Sequence, residues 1–235
     1  MPTRDFLSWW LPAFLVASAL FTLFPGLDIV AATPFWGGSV DDWPLRWSLS
    51  VAQVRQTIGE LVWLPLIAVG VGALARWVGA GLPAAFNARA FIFLAATYAL
   101  GPGLLANLLL KGNWGRARPR AIEEFGGSDL FTPAWLPSDA GGASFVSGEV
   151  SLAAATCAVA LLAHGWVRAA LFALGVSLAA VVGVVRIAQG GHFPSDVVFA
   201  MLLTWLVAWL VHSALFRWGR AAVSPVRAAR PPTAS

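Results

Sequence analysis

Arg186-Ile187-Ala188-Gln189-Gly190-Gly191-His192-Phe193-Pro194-Ser195-Asp196 is a short polar hinge between two long apolar runs, Val167 to Val185 and Val197 to Phe216. An imidazole and a carboxylate four residues apart, with an arginine six residues before the imidazole, is a costly combination at a membrane boundary. The flanking runs therefore read as membrane helices, and the hinge as half of an active site.

Composition supports the same class. The 235 residues are 59% hydrophobic and only 11% charged. So apolar a chain has too much greasy surface for one water-soluble core, and it reads as an integral membrane protein. The net charge of +4 is carried mainly by arginines in loops and tail. Such charge fits topology and contact with anionic lipid rather than nucleic-acid binding. Cys157 is the only cysteine and lies in an apolar run, so neither an intramolecular disulfide nor a cysteine-based metal site is available.

Six apolar segments have about the 20 residues a bilayer span needs, predicting an all-α bundle of six transmembrane helices. They are Phe6–Phe24, Ile58–Trp77, Ala90–Leu110, Ser147–Trp166, Val167–Val185 and Val197–Phe216. Ala17-Ser18-Ala19 resembles a signal-peptide cleavage site, yet the apolar run continues past it to Phe24, which favours a retained span. The loop Pro25–Val54 reads as an interfacial cap, with Trp36, Trp43 and Trp47 at headgroup level. Arg55, Gln56 and Glu60 stand where the second span begins, Glu60 as a paired structural carboxylate or as support for the site. Gly101-Pro102-Gly103 should kink the third span, because proline lacks a donor and crowds the preceding turn. One domain, 1–217, is expected, followed by a basic disordered cytoplasmic tail, 218–235.

With the N-terminus in the cytoplasm, Arg4, Arg76, Arg89, Arg168 and the four tail arginines all fall inside, as the positive-inside bias demands. The loop 112–146 and the His192 hinge then share the outer face. Lys111, Arg116, Arg118 and Arg120 meet Ser147, Gly148, Glu149, Arg186, His192 and Asp196 there. Cations beside helix N-termini suit the oxygens of a phosphate. Arg116 and Arg120 read equally well as interfacial anchors or as ligand contacts. No P-loop sequence is present.

Lys111, six intervening residues and Arg118-Pro119, then Ser147-Gly148, then Arg186 with His192 and Asp196, resemble the three-part signature of the type-2 phosphatidic acid phosphatase superfamily. Its membrane branch has six spans. The wording Trp114-Gly115-Arg116-Ala117-Arg118-Pro119 and Phe145-Val146-Ser147-Gly148 looks most like the bacterial lipid A phosphatases of that branch. The resemblance implies a phosphoric monoester hydrolase acting on a phosphorylated lipid, without cofactor or metal, in the inner membrane with its site towards the periplasm. His192 would be the nucleophile, Asp196 its electrostatic support, and Lys111, Arg118, Ser147, Gly148 and Arg186 the phosphate ligands.

Two departures stand out. The family has Pro-Ser-Gly-His where this chain has Val146-Ser147-Gly148-Glu149, and Ser-Arg where it has Val185-Arg186. In the family that histidine protonates the leaving oxygen, so Glu149 becomes the candidate general acid, acting only while protonated. A protein that binds a phosphorylated lipid with little or no turnover is the alternative. A solute transporter fits less well, because the charges gather at helix ends rather than at the midplane. Nothing in the sequence speaks to oligomeric state.

Overall fold

The computed structural model describes residues 3–218, and among them the chain is built of helices without a β-strand. The tail 219–235, and with it the expectation of disorder there, lies outside the described residues. Helix α1, Thr3–Leu23, runs along the last helix, with the Trp10 indole donating to the Leu202 carbonyl at 2.9 Å and the Phe6 ring stacked on Trp209. A short α2, Gly26–Ala32, then turns the chain into the cap.

The second span begins earlier than its apolar run suggests. Ser48 caps α3, Leu49–Leu61, and α4, Leu64–Trp77, follows with Pro65 in its first turn, where a missing N–H costs nothing. Together they make a 29-residue rod, Leu49–Trp77, that starts nine residues before Ile58 because Gln53, Arg55 and Gln56 dilute the hydropathy of its first turns without breaking the helix. At the joint between the two, the Tyr98 hydroxyl donates to the Val62 carbonyl.

Asn87 caps α5, Ala88–Tyr98, accepting from the Ala90 N–H at 2.9 Å. The helix then widens to π geometry over Ala99–Leu110 before the single turn α6, Lys111–Asn113. The interruption expected at Gly101-Pro102-Gly103 thus takes the form of a change in helical register, and the Asn107 amide donates to the Pro102 carbonyl at 2.7 Å.

Among the described residues, five helices are long and apolar enough to cross a bilayer. The fourth of the six expected spans is shorter: α7, Gly148–Ala155, followed by a 3₁₀ stretch, Thr156–Leu162. At the rises of the two helix types these residues extend about 26 Å, near the hydrocarbon thickness. Being the central element, α7 needs little lipid-facing length. Ala153, Ala154 and Ala155 are fully buried, and such small side chains let the backbones of α8, Gly165–Ala188, and α9, Pro194–Ser213, approach closely. Ser151 and Thr204 exchange a 2.6 Å hydrogen bond between α7 and α9. Leucines, valines and tryptophans on the outer faces stay exposed, as a membrane helical bundle requires.

One expectation for the cap is overturned. Trp43 does not offer its indole to the headgroups but is fully buried, packed with Ala32, Ala117, Ile122, Phe125 and Phe193 in a small core of its own, while Trp47 is 70% exposed. The Trp43 ring lies against Gly190, whose φ of +61° and lack of a side chain permit that contact. The first loop is thereby clamped onto the hinge.

Candidate active site

The alternation of helix directions puts Lys111, Ser147, Arg186 and His192 at helix ends on one face of the bundle. Arg76, Arg89 and Arg168 sit at the opposite ends of α4, α5 and α8.

His192 lies between α8 and α9 and is buried. Its Nδ1 stands 2.7 Å from the Ser144 carbonyl oxygen and 3.8 Å from Asp196 Oδ2. With Nδ1 as the donor to that carbonyl, Nε2 keeps its lone pair, which is the tautomer a nucleophile needs. Burial pushes the imidazole below its ordinary pKa, against the pull of Asp196, which favours the neutral ring.

Asp196 is fully buried and saturated. Oδ2 accepts from the Ser144 hydroxyl at 2.6 Å and from the Phe193 N–H at 2.8 Å, and Oδ1 accepts from Arg116 at 2.6 Å. The carboxylate therefore fixes the start of α9 and the Ser144 segment that holds His192, as well as standing beside the ring.

Arg116, expected as an anchor or a ligand contact, is neither. It is fully buried and bridges two carboxylates, Asp196 and, at 2.8 Å, Asp28 of α2. Its Nη1 also donates to the Ser195 hydroxyl at 2.8 Å and its Nε to the Thr132 carbonyl at 2.8 Å. Burial disfavours its charge, but Asp196 and Asp28 outweigh that and hold the guanidinium above its ordinary pKa. Burial in turn pushes the Asp28 carboxyl up, against the adjacent Arg116. Asp28 also accepts from the Ser195 N–H at 2.9 Å and hydroxyl at 2.6 Å. Asp28, Ser195 and Ser144 escaped sequence reasoning. The one available signal was an aspartate in an apolar helix turn, which needs a partner.

Of the expected phosphate ligands, two share one cavity. Arg118 and Arg186 line a cavity of about 280 Å³ with Arg46, Arg55, Arg120, Trp47 and Gln189, and Lys111 lies within electrostatic reach of Arg118, Arg186 and Glu149. His192 is close enough to Arg186 to feel its charge. The Arg186 Nη1 donates to Gln189 at 2.9 Å, which aims the guanidinium, while its buried Nε has no hydrogen-bond partner. A buried, unsatisfied guanidinium donor is expensive and suits an anionic ligand. Ser147 is buried as the cap of α7, with its side chain 3.5 Å from the Val150 N–H. Gly148 faces the Asn107 amide so closely that a side chain there would collide with it.

Glu149 is partly exposed and stands between two arginines, 3.6 Å from Arg55 Nε and 3.7 Å from Arg186 Nε. Arg55, of unassigned role in the sequence, is thus drawn into the site from the second span. Glu60 stays on the surface of α3, accepting from Gln56 at 3.1 Å. A groove of about 510 Å³ begins at Arg55 and Glu149 and continues over the apolar side chains of Ile58, Val62, Leu152 and Val182.

Comparison with known proteins identifies the family. Residues 90–220 match the family model described as the PAP2 superfamily. A lipid A 4'-phosphatase of Francisella tularensis subsp. novicida is 35% identical over 132 residues, an alignment that spans 55% of this chain and 60% of the relative. Lipid A 4'-phosphatases of Rhizobium leguminosarum and Rhizobium etli are 32% and 31% identical over 226 residues, covering 89% of this chain and 92% and 84% of theirs. No solved structure matches. This bacterial membrane chain belongs to the PAP2 superfamily and is a phosphoric monoester hydrolase, a lipid phosphate phosphatase.

Proposed function

We propose that the substrate is a lipid A-like phosphorylated lipid, dephosphorylated through a phosphohistidine at His192 on the periplasmic face of the inner membrane. The Nε of Arg186, buried without a hydrogen bond and 3.7 Å from Glu149 on a cavity wall shared with Arg118, is the observation that carries this reading. Lys111, Arg118 and Arg186 would hold the phosphate oxygens, with the first turn of α7 behind Ser147 and Gly148 as further support. The His192 Nε2 lone pair attacks phosphorus as the bond to the lipid oxygen breaks, and the leaving oxygen takes a proton. Water then attacks the phosphohistidine, releasing inorganic phosphate and restoring the neutral imidazole. Little covalent chemistry beyond this is needed, because positioning and charge stabilisation dominate phosphoryl transfer. The apolar groove leading away from Glu149 suits the hydrocarbon part of such a lipid. Domain 1–217 is in this reading a single catalytic unit, with both termini in the cytoplasm.

Phosphate release from lipid A, undecaprenyl diphosphate, phosphatidylglycerophosphate and phosphatidate by purified protein in detergent tests the assignment. Lipid A should be the best substrate. His192→Ala should abolish turnover, and excess chelator should leave it intact. Undiminished release by His192→Ala, or loss that zinc or magnesium reverses, would sink the mechanism.

Glu149 keeps a second reading alive. Standing between Arg55 and Arg186, it is an ion-pair partner, and an ionised carboxylate has no proton to give a leaving oxygen. As general acid it is worth about 10²–10⁴ in rate on a lipid. Glu149→Gln should then lose that much kcat on the lipid and far less on an aryl phosphate whose phenolate leaves unaided, and Glu149→His should retain activity. Equal impairment on both substrates makes Glu149 a structural partner. Wild-type protein that binds lipid A and turns over neither substrate is a binding protein.

A further inference from the structure

The cavity lined by Arg118 and Arg186 holds more positive charge than one phosphate monoester uses. Lys111, Arg118 and Arg186 account for the expected phosphate ligands, yet Arg46, Arg55 and Arg120 surround the same space. The carboxylates paired with this group are Glu149, between Arg55 and Arg186, and Asp41, paired with Arg46. Six cations against two carboxylates leave an excess of four charges. The buried Arg116 with Asp28 and Asp196 beneath contributes at most one negative charge in return. A phosphate monoester dianion removes two. Space points the same way: a water molecule needs roughly 10–15 Å³, so a single phosphoryl group fills only part of the 280 Å³.

Where the surplus lies is specific. Arg120 is half-buried and has no carboxylate in contact among the described residues; burial, and after it Arg118, Arg46 and Arg186, pull its pKa down to about 10. Its backbone is held by an N–H bond to the Gly190 carbonyl at 3.3 Å, so the side chain is carried by the hinge itself. Arg46 is pinned from two sides, by Asp41 and by the exposed Trp47 ring 4.6 Å from its guanidinium carbon. Both arginines are placed by their own scaffolds, and neither belongs to the three-part signature.

We propose that Arg46 and Arg120 form a second anion subsite beside the scissile phosphate, so that the preferred substrate carries a second phosphate or comparable anionic group on the same headgroup. The inference rests on the lipid phosphatase reading for its biological meaning, but the subsite can be measured without turnover. Inorganic phosphate reports the first subsite alone, and inorganic pyrophosphate reports both together.

Calorimetric titration of the purified full chain in neutral detergent, with chelator present, should show pyrophosphate binding at least about tenfold tighter than phosphate, each guanidinium contact to an anion being worth about that factor. Arg46→Gln/Arg120→Gln should remove most of that advantage while weakening phosphate much less, and Arg46→Lys/Arg120→Lys should restore part of it. Asp41→Asn, which frees Arg46 from its partner, should tighten pyrophosphate further. Phosphatidylglycerol mixed into the micelles should not displace pyrophosphate. Equal affinity for the two anions in the wild type, equal weakening of both in the glutamine double variant, or displacement by phosphatidylglycerol would each overturn the proposal. A chain that binds as predicted but hydrolyses no lipid would instead defeat the proposed function and leave the subsite standing.

Discussion

Replacing Arg116 by Gln removes a positive charge from between two buried carboxylates, and its cost can be worked from the contacts. The guanidinium is fully buried and gives up bonds to Asp28, Asp196, Ser195 and the Thr132 carbonyl at 2.6–2.8 Å. Breaking a buried pair from one side costs about 3–5 kcal/mol. Against a total stability of about 5–15 kcal/mol, that is a large share, equivalent to roughly 6–20 °C in Tm for a chain of this length. Arg116→Lys keeps the charge but has no fork to span both acids, and should fall between. Thermal unfolding in detergent gives the loss directly, and kcat on the best lipid shows whether Asp196 still supports His192. The double variant Arg116→Gln/Asp28→Asn should lose less than the two singles combined, by about 0.5–3 kcal/mol. A Tm for Arg116→Gln within roughly 2 °C of wild type, or strict additivity with Asp28→Asn, would refute the bridging role.

Activity should also report the protonation of His192. Burial lowers its pKa below the ordinary value of about 6.5, so the neutral ring persists at pH 6.5, and on the proposed mechanism kcat/KM should fall only as pH drops further. The same depressed pKa contributes stability above the ordinary imidazole value that is lost as pH falls, since the unfolded chain takes the proton first. An acid limb centred above about pH 6.5 would contradict the buried neutral ring. Gly190→Ala forces a side chain into a left-handed φ and against the Trp43 ring; thermal unfolding should show a loss of at least about 1–2 kcal/mol, and an unchanged Tm would mean that Trp43 yields freely. For orientation, in a Cys157→Ala background, Ser128→Cys should react with a membrane-impermeant thiol reagent in intact spheroplasts and Ala84→Cys should not; both positions are exposed, so the reverse pattern overturns the topology.

Most of the spans were legible because apolar length is a local property, and the family was legible from the order of Lys111, Arg118, Ser147, Arg186, His192 and Asp196 along the chain. What escaped was tertiary. Trp43 and Asp28 occupy a loop whose composition looks like an interfacial cap, and their burial arises from contacts with Gly190 and Ser195 at the far end of the sequence. Arg116 lies two residues from Arg118, in the same basic run, and no local cue separates a cation that faces the ligand from one turned into the protein. The early start of α3 was masked for another reason: Arg55 and Gln56 lower the hydropathy of a helix that is nonetheless continuous, and Arg55 belongs to the site because of that extension.

The bond between Asp28 and Ser195 joins residues 167 positions apart, and this has a consequence for how the chain is made. Asp28 leaves the ribosome early, and Arg116 reaches the membrane face before α9 has been synthesised. Until Ser195 and Asp196 arrive, an arginine and an aspartate destined for a dry interior remain without two of their four-way partners. Final closure therefore waits on the last span, and premature termination before Pro194 leaves a chain that can insert its earlier helices but cannot shut its outer face.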